Sequence, residues 1–254
     1  VLTKTDPNNR QTTFTYGVHD PTFTFVDTET NAKSHQIRRW YDFGTGNLLA
    51  INDSNLFVTN YTYDALGRIT AEIKPLDTFT YPTKVYTYEF DGLPPEKIKM
   101  QVREQNETTN TFDTYQFIDG LGKIIQTKVE AENTKQIVED TFYDSRGLVM
   151  SKSNKYFATA TENYETPNSA VGFINFTYDA PQRPTLILNP DDSQQSFTYD
   201  RWLETQYDAN NNRKDIWKDA YGQIVAVVEN NPSAQITNYT YNGAGELLTV
   251  TDAL

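Results

Sequence analysis

The side chains with chemistry to offer are mostly carboxylates, and they recur in one setting. Asp64, Asp119, Asp144 and Asp219 each stand three residues ahead of a glycine (Gly67, Gly122, Gly147 and Gly222), and Asn242 with Gly245 repeats the pattern with an amide. An isolated acid of this kind could serve as a proton donor or a cation ligand. Asp208, Asn210 and Asn212, followed by Asp219, also imitate the first, third, fifth and twelfth positions of a calcium loop, but Arg213 stands where that loop needs glycine. The two histidines, His19 and His35, lie in polar stretches outside any His-Glu-x-x-His pattern, and no serine sits in Gly-x-Ser-x-Gly. Cysteine is absent, so disulfides and thiolate chemistry are excluded. There is no phosphate loop and no dinucleotide motif. An enzyme needs several polar groups convergent in one pocket, and the sequence nominates no catalytic residue, no metal site and no cofactor site.

Turn chemistry accounts for the same acids. In Thr62-Tyr63-Asp64-Ala65-Leu66-Gly67-Arg68-Ile69, Asp at the first turn position accepts backbone N–H groups, and Gly three residues on supplies a positive φ. This is a three-residue hairpin loop, a type I turn closed by a glycine bulge. Tyr41-Asp42 with Gly46 is a variant one residue longer. Phe90-Asp91, Tyr178-Asp179 and Tyr199-Asp200 keep the aromatic-Asp step without that glycine. A second kind of turn, Asp6-Pro7-Asn8-Asn9, Asn189-Pro190-Asp191-Asp192 or Asp208-Ala209-Asn210-Asn211, precedes the first at constant spacing. The unit is therefore strand, turn, strand, turn, written about ten times at intervals of about 20 to 35 residues, within the range of repeat architectures.

Between the turns run alternating small-polar and aromatic residues. Lys84-Val85-Tyr86-Thr87-Tyr88-Glu89-Phe90 predicts a strand, and Ile98 to Arg103 predicts its return. The chain carries 17 Tyr and 14 Phe, residues that suit a pleated, half-buried surface. No window shows the apolar spacing of an amphipathic helix. Residues 151–175 lack the two-residue period and predict an inserted loop, with room for a helical turn, on one face of the array. The net charge of −12 argues against nucleic-acid or anionic-membrane partners. No stretch is apolar enough to span a membrane, and no charged-then-apolar leader follows Val1. Val1-Leu2-Thr3-Lys4-Thr5-Asp6 resembles Leu247-Leu248-Thr249-Val250-Thr251-Asp252, and Leu254 falls in mid-turn. The expectation is one array over residues 1–254, a piece of a longer protein.

The turn sequences carry a family resemblance. Thr62 to Ile69, Phe117-Ile118-Asp119-Gly120-Leu121-Gly122-Lys123-Ile124 and Phe142-Tyr143-Asp144-Ser145-Arg146-Gly147-Leu148-Val149 are similar to YD repeats, also called RHS repeats. The stretch from Asp119 through Lys128 resembles the shells of bacterial toxins related to the B and C components of Tc toxins. The resemblance covers nearly the whole chain and is thinnest over 17–40, 77–112 and 151–175. It implies an all-β fold: an elongated antiparallel hairpin ribbon, curved or spiralling, forming part of a hollow cocoon. It further implies a secreted or cell-surface bacterial protein whose partners are the rest of the shell and an enclosed C-terminal toxin or effector domain. In that family a self-cleaving region follows the repeats; this chain ends within repeats. Open sheet edges add the expectation of self-association. A competing reading is a carbohydrate- or cell-surface-binding module, with Trp40, Trp202 and Trp217 as stacking platforms. The two differ in whether the aromatics gather in one open groove or spread along the strands.

Overall fold

The computed structural model describes residues 2–106, 108–230 and 233–253. Val1 and Leu254, the limits of the repeat as read in the sequence, lie outside the described residues. The described chain forms twenty-two strands, from Leu2–Thr5 to Leu247–Thr251, and no helix. All pairing described between strands is antiparallel, as short hairpins of alternating Thr and Tyr demand. The chain divides into two compact units, residues 1–137 with 158–164, and residues 138–157 with 165–254.

In the first unit each strand from Leu2–Thr5 to Ile124–Ala131 pairs with the next in sequence. Gln36–Tyr41, which includes the polar residues Gln36, Arg38 and Arg39, is a six-residue strand. Lys84–Glu89 pairs with Glu96–Arg103 as its alternation requires. In the second unit Val149–Ser153 pairs with Phe173–Tyr178, and from there each strand pairs with its successor to Leu247–Thr251. Within 151–175 the structure has the end of one strand, the short strand Tyr156–Thr159 and the start of Phe173–Tyr178. The backbone between 160 and 172 is irregular, without a helical turn.

Little of this fold rests on an oily core. Among the described residues the buried hydrophobic side chains are Ala71, Ile73, Tyr115, Phe117 and Val138, while eleven polar or charged residues are equally buried. Burying a polar group costs free energy unless it is hydrogen-bonded, so the burial of those eleven residues is tolerated only where they find partners.

Candidate functional site

The feature built again and again is the corner at which two strands meet. In each of five turns one side-chain oxygen accepts two backbone N–H groups. Asp64 Oδ1 takes those of Leu66 and Arg68, both at 2.9 Å. Asp119 takes Leu121 and Lys123, Asp144 takes Arg146 and Leu148, and Asp219 takes Tyr221 and Gln223. Asn242 does the same with its amide oxygen toward Ala244 and Glu246. The N–H groups of Gly67, Gly122, Gly147, Gly222 and Gly245 donate to the carbonyls of these residues at 2.9–3.0 Å. Their φ angles lie between 77° and 84°, where a side chain would be strained. Elsewhere other residues fill this left-handed position: Asn9, Leu56, Gln182, Asp192 and Asn211. The turn at Asp53, whose Oδ1 accepts from Asn55 and Phe57, has no sequence signature, because Leu56 stands where glycine would be expected.

Asp144, Asp64 and Asp208 are shifted as occupied acceptors. Asp144 lies below the usual carboxylate range, chiefly because of the Leu148 N–H, with Arg146 contributing further. At Asp64, burial pushes upward, but the N–H and guanidinium of Arg68 outweigh it. Asp208 is held low by the Asn212 side chain and N–H. The residues that imitate a calcium loop are divided between two turns. Asp208 binds Asn210 and Asn212, Asp219 binds its own loop, and strand Arg213–Lys218 separates them. Six residues of strand span roughly 20 Å, too far to share an ion. Among the described residues no three His, Asp or Glu side chains are arranged to hold a metal.

A second feature of the corner is invisible in the local sequence. In seven hairpins the register slips by one residue just past the turn, leaving Leu49, Thr70, Ile125, Met150, Thr185, Val225 or Leu248 as an extra residue. Such bulges bend the strand that carries them. Pairing with the following hairpin then stops short of the bent end: Ala50 is paired to Asn60 and Ala71 to Val85, but neither Leu48 nor Ile69 belongs to the ladder on that side. Tyrosine fills the gap. The hydroxyl of Tyr63 donates to Leu48 O at 2.8 Å, Tyr88 to Ile69 O at 2.9 Å, Tyr178 to Val149 O at 3.0 Å, Tyr199 to Pro184 O at 2.8 Å and Tyr241 to Ile224 O at 2.9 Å. In each case the accepting residue opens the return strand of the preceding hairpin. Burial raises the phenol pKa of Tyr63, Tyr88, Tyr178 and Tyr199, which keeps the donor proton in place.

Arginine closes the circuit in two places. Arg68 is bound by Asp64 at 2.7 Å and lies 4.3 Å above the ring of Tyr88. Arg183 is bound by Asp179 at 2.7 Å and lies 4.0 Å above the ring of Tyr199. Acid, cation, ring and carbonyl thus link one hairpin to the next.

Away from the corners, residues 158–164 lie against the first unit. A cavity of about 740 Å³ runs beside them, lined among others by Phe112, Tyr115, Gln136 and Glu162. Lys99 bridges Asp113 at 2.9 Å and Glu162 at 2.7 Å. Burial opposes the Lys99 charge, but these two carboxylates prevail and raise its pKa. Tyr115 is pushed up to about 12, mainly by burial. Other polar sites also fall outside any sequence pattern. Buried Asp20 accepts the N–H groups of Thr24 and Phe25 within its own loop. The ring of His19 stacks on Trp40 at 5.0 Å, while His35 Nδ1 is 3.4 Å from the Asn31 amide. Trp202 and Trp217 are half exposed in the second unit.

Residues 41–78 match the family described as RHS Repeat. No curated protein matches the sequence. Solved structures do. The crystal structure of TcdB2-TccC3 aligns over 96% of this chain and 15% of its own, at 15% identity and a TM-score of 0.73. The TcdB2-TccC3-TEV structure aligns over 96% and 18%, at 13% identity and 0.76. The Photorhabdus luminescens Tc holotoxin pore gives 96% and 18%, at 13% identity and 0.75. The chain spans less than a fifth of the length of these proteins. It carries an RHS repeat over residues 41–78 and shares the antiparallel fold of these Tc toxin structures, so the resemblance read from the turn sequences is borne out.

Proposed function

We propose that this chain is a non-enzymatic stretch of wall in an RHS-repeat shell, one repeat array and a segment of a longer protein. The shell encloses a toxin or effector domain for delivery, and the protein acts in secreted form or at the cell surface. Its partners are the remainder of the shell and the enclosed C-terminal domain. One observation carries the reading. The polar groups of the corners are committed to the backbone: the acids and the Asn242 amide to their own turns, and five tyrosine hydroxyls to the preceding hairpin. In this reading the pairs Asp64–Gly67, Asp119–Gly122, Asp144–Gly147, Asp219–Gly222 and Asn242–Gly245 are structural turns and none is catalytic. The fold shared with TcdB2-TccC3 gives support. No helix among the described residues is long and apolar enough to cross a membrane.

The test is protection. In the full-length protein under native conditions, the region that follows the repeats should resist added protease until the repeats are denatured. Electron microscopy should show a hollow particle. Digestion of that region at the rate of its isolated form would overturn the proposal.

A further inference from the structure

The polar groups buried on one face of the first unit have a common partner. Lys128 is fully buried, and Gln136, Phe117 and Tyr115 are nearly so. Gln136 Nε2 donates to the carbonyls of Thr159 and Thr161, both at 3.2 Å. Lys128 Nζ donates to the carbonyl of Asn163 at 2.6 Å. The carboxylate of Glu162 receives Lys99 Nζ at 2.7 Å and the hydroxyl of Tyr115 at 3.1 Å. The ring of Tyr164 meets Phe117 edge-on, 5.7 Å between centroids. Every second carbonyl of the segment, at 159, 161 and 163, is read by a side chain of the sheet, and the intervening Glu162 and Tyr164 are read by theirs.

This is the division of labour of a peptide-recognition site. Carbonyl contacts hold a backbone whatever its sequence, and side-chain contacts select the sequence. The burial is lopsided in the same sense. The receiving residues are inside, whereas Glu162, Asn163 and Tyr164 are exposed. The cavity of about 740 Å³ opens alongside Ala160, Thr161 and Glu162. The buried Lys128 ammonium takes one of its acceptors from the main chain of the segment.

We infer that the face formed by Lys99, Tyr115, Phe117, Lys128 and Gln136 is a polypeptide-binding site. In this chain it holds residues 159–164 as a built-in ligand. On displacement of that strap it takes a peptide from another source along the same bent course, with a carboxylate two residues ahead of an aromatic ring. The inference stands on the first unit alone and is independent of the shell proposal.

Two measurements test it. In the first, residues 158–164 of the full chain are replaced by a Gly-Ser linker, and a labelled synthetic peptide with the sequence of residues 157–166 is titrated by fluorescence anisotropy. The strapless protein should bind it saturably, and at least about tenfold more tightly than the parent does. Peptides carrying Glu162→Gln or Tyr164→Ala should bind about tenfold more weakly, the scale of one charge-assisted hydrogen bond or one buried ring contact. Equal binding of these peptides, or no saturable binding by a strapless protein with the parent's circular dichroism, overturns the inference. The second measurement covers a strapless protein that does not fold. In the parent chain the Ala160 amide donates to Thr134 O at 2.9 Å. Excess wild-type peptide should speed its hydrogen exchange about tenfold while amides of strand Thr111–Ile118 stay unchanged. Exchange at Ala160 that does not respond to the peptide overturns the inference as well.

Discussion

Replacing the corner tyrosines by phenylalanine removes a single oxygen and leaves the ring in place. At Tyr63, Tyr88, Tyr178 and Tyr199 the hydroxyl is part-buried, 2.8–3.0 Å from the carbonyl of Leu48, Ile69, Val149 or Pro184. A hydrogen bond of this kind contributes about 0.5–1.5 kcal/mol, and a carbonyl left dry costs about 1–3 kcal/mol. These bulged carbonyls are half-covered, so each substitution should cost about 1 kcal/mol. Tyr241 is an internal control. Its bond to Ile224 O has the same length, 2.9 Å, but lies in an exposed setting where water replaces the lost hydroxyl. Tyr241→Phe should therefore cost well under half as much as the others. Urea unfolding of the five single variants gives the comparison, with unchanged m-values as the check that the reference states are the same. A Tyr241→Phe variant as damaged as Tyr178→Phe, or four part-buried variants that all match the parent, would refute this role of the hydroxyls. The first result would put the cost in ring packing; the second would mean that the bulged carbonyls are already solvated.

Gly122→Ala should destabilise by about 1 kcal/mol from backbone strain alone, since its φ is 79° and a Cβ there meets nothing within 4 Å. Gly17→Ala, with φ 82°, should lose clearly more in the same thermal melts, because its Cβ would run into the Phe23 ring. Asn242 donates to the Glu246 carboxylate at 2.7 Å, where the equivalent turn pairs Asp64 with Arg68. Asn242→Asp should lower Tm in low salt and recover at about 1 M salt, where the Debye length is about 3 Å. Asn242→Asp combined with Glu246→Arg should restore Tm without salt; a salt-independent loss would contradict this account. The pH dependence has a definite sign. Tyr115 and Tyr156 are each raised to about 12, both mainly by burial, with the bond to Asp140 adding at Tyr156. Unfolded phenols ionise near pH 10, so the native state binds more protons above that pH. The stability contributed by these groups is whole below about pH 10 and is lost as pH rises through about 12. A Tm constant between pH 9.5 and 12 would exclude it.

Much of the local structure was legible in the sequence because its causes are local. An acid and a glycine three residues apart specify a type I turn through contacts that never leave the loop. Asp119 accepts the N–H groups of Leu121 and Lys123, and Asp144 those of Arg146 and Leu148, all within the same loop. Alternation of Thr with Tyr likewise specifies a strand, because side chains in a strand alternate between faces. Even there the turn at Asp53 carries no glycine, because the surrounding hairpin holds Leu56 in the left-handed region.

The tertiary structure decided which polar groups find one another across hairpins. The partner of Tyr63 lies 15 residues away and that of Tyr178 lies 29. Both acceptors exist only because a bulge bends the return strand away from its ladder. Residues 158–164 show the same limit more strongly. Glu162 meets Lys99 across 63 residues, and nothing in Ala-Thr-Glu-Asn-Tyr announces a ligand. Turn geometry follows from torsional preferences within a few bonds. The choice of long-range donor and acceptor depends on strand register, which is a property of the assembled sheet and not of any one segment.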